Sequence, residues 1–220
     1  MEKTENRNRV NFYFKVNQID ITNEIDIRIG AFKKCLIEHG CERALSEYLM
    51  AHGCSIIGSA TEGSLRRAIA DEFSIDMQYV TLVGSAKLGF SPKPGQYFKH
   101  FSANSDLDVA IVSKELFLKV WTEVFEMERA GEYYDFNKFK HYHYRGWIRP
   151  DKLPPGTEYR TCKDWWEFFH KLSNEESYSR LKVRAGLYFD EYFLRCYQMG
   201  ALNSMRENLI LRERNENIGN

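Results

Sequence analysis

At 220 residues, with 43% hydrophobic and 28% charged side chains, the chain has the size and composition of one folded domain with a helical appendage. Its 31 basic and 31 acidic residues cancel, which excludes coating of nucleic acid through bulk charge. No stretch reaches the ~18 apolar residues that cross a bilayer, and the charged opening MEKTENRNRV reads as no secretory leader. Five cysteines at 35, 41, 54, 162 and 196 are odd in number and form no Cys-x-x-Cys pair. That pattern fits reduced thiols in a cytoplasmic protein, with no membrane association, better than a disulfide framework or a zinc site.

In chain order, the loose alternation of Val10, Phe12, Phe14 and Val16 predicts a strand. Apolar residues at helical spacing predict helices over 23–39 and 42–52, with Gly40 and Gly53 as stops. Thr61 can cap a third helix reaching Phe73. Tyr79 to Val83 is a short β-rich apolar run that breaks at Gly84-Ser85, as a buried strand does. A stretch bearing glycine and proline follows over 89–104, and Leu107 to Val112 is a second buried-strand pattern. Ser113 can cap a helix reaching about Arg129, with Glu115 in its acidic first turn.

Phe136 to Trp147, aromatic and basic, reads as a strand or hairpin, and the prolines at 150, 154 and 155 with Gly156 mark a loop. Thr161 and Asp164 form a helix-start signature for 162–172, Arg180 to Tyr188 reads as a third strand, and a closing helix runs from Asp190 to about Asn208. Helices alternating with a few strands indicate an α/β or α+β domain. We read one domain over 1–220, with a mostly helical part over 1–75 and the core over 76–220.

The chemistry concentrates between Val80 and Val112. Asp106 and Asp108, two apart on a strand, leave the same face beside apolar Leu107, Val109 and Ile111. Two adjacent carboxylates repel, and a divalent cation relieves that cost; hard oxygen ligands select Mg²⁺ or Mn²⁺. A strand edge in water is the plain alternative. Gly84 and Ser85, where the preceding strand breaks, offer backbone N–H groups and a hydroxyl to a phosphate, and Lys87 can add a positive charge. A tight turn without a ligand is the alternative there.

Leu82-Val83-Gly84-Ser85 followed by Ser105-Asp106-Leu107-Asp108-Val109-Ala110-Ile111-Val112 resembles the nucleotidyltransferase superfamily typified by DNA polymerase beta and its minimal bacterial relatives. The resemblance implies a mixed sheet with helices packed mainly on one face. It also implies transfer of a nucleoside monophosphate from an NTP to a hydroxyl of an RNA, protein or small-molecule acceptor. Gly84, Ser85 and Lys87 would then hold the nucleotide, while Asp106 and Asp108 would be the catalytic metal ligands. Among small bacterial members, toxin and phage-defence roles are common.

Two departures stand against the family pattern. Asp106 lies 21 positions after Ser85, so 89–104 looks like an insertion. A third carboxylate is usual on a later strand, yet 180–188 offers Lys182 and Arg184, with Asp135, Asp190 and Glu191 as the acids nearby. Without a third acid, the alternative is a catalytically silent nucleotide- or nucleic-acid-binding module, or a partner subunit of a complex.

Two basic segments interleave with rings. Lys87, Lys93, Lys99 and His100 accompany Tyr97, Phe98 and Phe101, while Lys138, Lys140, Arg145 and Arg149 accompany Tyr142, Tyr144 and Trp147. Such segments can stack bases and meet phosphates of an RNA end, or place their rings in a core. His141 and His143 would share a strand face, without a third ligand at metal-binding spacing. Trp165, Trp166, Phe168 and Phe169 suit core packing or an interface with a partner or a second copy. Asp71, Glu72 and the acids of 123–128 read as solvated helix faces.

Overall fold

The computed structural model describes residues 18–51, 53–153, 159–178 and 181–218. The strand expected over 10–16 and the loop residues 154–156 lie outside them. Among the described residues the chain is an α+β protein. The helices are α1 (Gln18–Glu38), α2 (Gly40–Ala44), α3 (Ser59–Phe73), α4 (Gly84–Leu88), α5 (Lys114–Arg129), α6 (Phe136–Tyr144), α7 (Arg160–Ser173) and α8 (Glu191–Ile218). A π-helical segment, Leu45–Ala51, continues α2. The strands β1 (Val80–Val83), β2 (Leu107–Val112), β3 (Trp147–Ile148) and β4 (Val183–Tyr188) form one mixed sheet in the order β1-β2-β4-β3. β1 runs antiparallel to β2, β2 parallel to β4, and β3 antiparallel to β4.

Side-chain alternation divides the sheet into two faces. Val80 and Leu82, Leu107, Val109 and Ile111, and Val183, Ala185 and Leu187 enter the main core with Leu65 and Ile69 of α3, Val120 and Val124 of α5, and Trp165 and Phe169 of α7. The opposite face carries Asp108, Ala110, Arg184, Gly186 and Tyr188 and meets α8 through Leu194. Three helices therefore cover one face. The second face is left to α8, and that asymmetry leaves room for a cavity above Asp108. A second core joins Phe32 and Leu36 of α1 with Leu45 and Leu49, Leu88 and Phe90, and Leu202 and Met205 of α8.

Local signals explain several element ends. Ser113 Oγ accepts from Leu116 N at 3.2 Å and so caps α5. The third helix starts at Ser59, before Thr61, and α8 extends ten residues past Asn208. The first turn of α7 is closed from elsewhere: Glu123 of α5 accepts from Thr161 N at 2.8 Å and Cys162 N at 3.1 Å. Glu123 is therefore a capping group rather than part of a solvated face.

Residues 136–144 correct the expectation of a strand or hairpin. They form α6, in which Phe136, Phe139 and His143 recur at helical spacing. Phe139 is buried, and His143 packs 4.2 Å from the Trp121 ring and 5.4 Å from that of Phe117. Burying that stripe on α5 outweighs the β preference of the rings. On a helix, His141 and His143 point about 200° apart, so they share no face. Burial holds His143 below the usual imidazole pKa, whereas His141 is exposed.

Candidate functional site

The break after β1 and the start of β2 meet at the sheet edge above the second face. Val83 is the antiparallel partner of Asp108, so Gly84 follows directly beside that carboxylate. Gly84 adopts φ +68°, and a Cβ built on it would stand 3.0 Å from Asp108 Oδ2. Only glycine accepts both the left-handed backbone and that approach without strain.

Asp108 opens onto a cavity of about 240 Å³ lined by Gly84, Lys93, Arg149, Arg184, Trp147 and Gln198, among others. Burial pushes the Asp108 carboxyl above the ordinary aspartate range. Lys93 opposes that shift, Asp106 adds to it, and Arg184 and Arg149 oppose it. Asp106 stands just before β2, and Leu107 N donates to Lys182 O at 2.8 Å, which ties this end of β2 to β4.

Arg184 occupies the place on β4 directly opposite Asp108 in the parallel register. Its Nε lies 3.1 Å from Asp106 Oδ2 without the alignment of a hydrogen bond, and it meets no hydrogen-bond partner among the described residues. Asp108 and three cations, Lys93, Arg149 and Arg184, thus line the cavity, while Asp106 stands against Arg184 and its charge acts on Asp108. Among the described residues no group of three or more His, Cys, Asp or Glu side chains comes together. Asp106 and Asp108 by themselves are fewer ligands than an all-protein metal cage needs.

Of the residues marked from sequence, Gly84, Asp106 and Asp108 converge here, and Ser85 is half-buried beside Gly84 in the first turn of α4. Lys87 goes elsewhere. It is buried, its charge interacts with Glu62, Cys54, Arg66 and Arg28, and desolvation lowers its pKa. Asp135 pairs with Lys138 at 3.6 Å and Asp190 with Lys114 at 3.0 Å, and among the described residues no third acid gathers with Asp106 and Asp108.

The basic-aromatic segments divide. Lys93, Trp147 and Arg149 reach the cavity, whereas Tyr97 and Phe98 pack on the second core, His100 pairs with Asp26 at 2.8 Å, and Lys140 pairs with Glu128. Gln198 carried no motif, and its place in the cavity emerges only from the fold.

No protein-family model, curated protein or solved structure matches the chain. Among the described residues, no helix is long and apolar enough to cross a membrane.

Proposed function

We propose that this cavity binds a nucleoside triphosphate with Mg²⁺ or Mn²⁺ and that the protein is a nucleotidyltransferase acting on an acceptor hydroxyl. The observation that carries the reading is the closure of the Gly84 turn on Asp108, with Asp106 alongside, at the mouth of a cavity that also holds Lys93, Arg149 and Arg184. Asp106 and Asp108 would hold the cation, which when bound neutralises phosphate charge and polarises the reacting phosphoryl group. The three cationic side chains pair with phosphate oxygens, and the Gly84 backbone permits close approach of the triphosphate. Transfer joins the acceptor oxygen to the α-phosphorus, breaks the bond from that phosphorus to pyrophosphate and gives up the hydroxyl proton to solvent, a displacement that depends on positioning and electrostatics rather than on a covalent protein intermediate.

A second reading, a nucleotide-binding module without turnover, is favoured by one observation: β4 presents a guanidinium where the resembled family usually has its third carboxylate. One experiment separates the two. Calorimetry with each NTP and Mn²⁺ measures binding, and pyrophosphate release is followed with RNA, protein and small-molecule acceptors. Binding with release that vanishes in Asp106→Ala/Asp108→Ala supports transfer, and binding without release across the acceptors supports the silent module. Absence of NTP binding, or equal release by the double variant, rejects the nucleotidyltransferase assignment.

A further inference from the structure

The apolar side chains of α5 fall into two stripes. Leu116, Val120, Val124 and Met127 are buried in the main core. Leu118, Trp121 and Phe125 stand on the outer face, at 45%, 42% and 50% exposure. One exposed ring is ordinary, but three large apolar side chains at i, i+3 and i+7 make a patch. At about 100° per residue, Glu115, Leu118, Thr122, Phe125 and Arg129 fall within ~80° of arc, with Trp121 adjacent. Trp165 and Phe169 of α7, by contrast, are consumed by the main core.

The charges around the patch are ordered. Glu115 lies at its N-terminal end and Arg129 at its C-terminal end, while Lys119 precedes Glu126 along one flank. Within the chain they pair one turn apart, Lys119 with Glu115 at 3.0 Å and Arg129 with Glu126 at 3.2 Å. Exposed pairs of that kind are weak and leave each charge able to meet another. Two acids and two bases give the face no preference for a nucleic acid or an anionic membrane.

The face is instead complementary to itself. Turned antiparallel about a two-fold axis at Thr122, a second α5 brings its Phe125 level with Leu118, its Arg129 across from Glu115, and its Glu126 beside Lys119. A parallel mate would set like charge against like. The antiparallel arrangement also opposes the two helix dipoles.

We propose that the outer face of α5 binds a second copy of this chain, antiparallel, through Leu118, Trp121 and Phe125, with the Glu115–Arg129 and Lys119–Glu126 pairs at the rim. One helix face is small for a specific interface, so the dimer is weak, with a Kd on the order of 10 μM. The proposal is independent of the nucleotide reading, because none of these residues lines the cavity over Asp108.

Sedimentation equilibrium of the full chain from about 1 to 200 μM, at low ionic strength where the rim charges are least screened, measures the association. The wild-type chain is expected to pass from monomer to dimer over that range, and Phe125→Ser to stay monomeric. Lys119→Glu sets acid against acid in both halves of the dimer, and Glu126→Lys sets base against base. Each alone should associate about tenfold or more weakly. Mixed in equal amounts, the two variants again oppose unlike charges at both ends, and the mixture should associate within about threefold of wild type. All three substitutions fall on exposed positions, which keeps their effect on folding small. A wild-type chain that is still monomeric at about 200 μM overturns the proposal. So does a dimer that Phe125→Ser leaves intact, since it uses another face. Charge variants that associate as wild type does, or that weaken and do not recover on mixing, overturn the antiparallel pairing.

Discussion

Replacing Gly84 by alanine puts a methyl group into a left-handed backbone position and against a carboxylate. At φ +68° an L-residue pays about 1–2 kcal/mol relative to glycine. For a chain of this size each kcal/mol lowers Tm by about 2–4 °C, so a fall of roughly 2–8 °C is expected. The steric part is small in energy but large in consequence. The nearest atom to the new Cβ is Asp108 Oδ2 at 3.0 Å, the mobile end of a side chain, while Asp108 Cβ is farther away at 3.5 Å. The carboxylate relieves the contact by rotating, which changes how it faces the cavity it lines.

Gly84→Ala should therefore melt lower and also lose affinity for Mn²⁺ with NTP. Gly63→Ala is the control: Gly63 lies inside α3, where a Cβ meets open space, and alanine there should gain about 0.5–1 kcal/mol. Differential scanning calorimetry and nucleotide titration read both effects. A Gly84→Ala protein as stable as wild type would refute the backbone argument. One that melts lower yet binds Mn²⁺ and NTP unchanged would refute the link between this turn and the site.

Three further outcomes follow from the same geometry. Burial raises the Asp108 pKa, so its ionisation opposes folding: without metal, stability should fall as pH rises from the ordinary aspartate range through the raised value. Asp108→Asn should remove that slope, melt higher near neutral pH and abolish metal-dependent nucleotide binding; a lower melting point there would count against the argument. Glu123→Ala, which leaves Thr161 N and Cys162 N without their acceptor, should cost about 1–2 kcal/mol in urea unfolding, and a change below a few tenths would deny the cap. Arg184→Asp places a third carboxylate opposite Asp108, so Mn²⁺ should bind at least about tenfold tighter without nucleotide while tripolyphosphate binds more weakly; unchanged Mn²⁺ titrations would show that residue 184 lies outside the cation's reach.

Much of the scaffold was legible from local pattern. The apolar run before Gly84, the run after Asp106, the Ser113 cap and the aromatic spacing of 165–169 each declare an element because the relevant interaction lies within a few residues. The approach of Gly84 to Asp108 was also accessible, since a break after one buried strand and an acid in the next need only antiparallel neighbours to meet. Residues 136–144 read otherwise: their rings favour extended chain locally, and the helix forms because Phe139 and His143 find Phe117 and Trp121 on α5. Lys87, close to Gly84 in sequence, is carried round α4 to the side facing Glu62.

The charge of the cavity could come only from tertiary structure. Lys93, Arg149 and Arg184 belong to an inserted loop, the end of β3 and the strand β4, and nothing in their spacing along the chain relates them until the sheet order sets β2 between β1 and β4. Gln198 is the same case on α8: a common polar residue in a helix, whose side chain turns inward and whose oxygen is buried without a donor among the described residues. Sequence alone determined most of the elements and marked the acid pair, because backbone propensity and side-chain period act over short range. The tertiary fold decided which charges and which amide face one another, because electrostatics and desolvation depend on distance in space rather than on position in the chain.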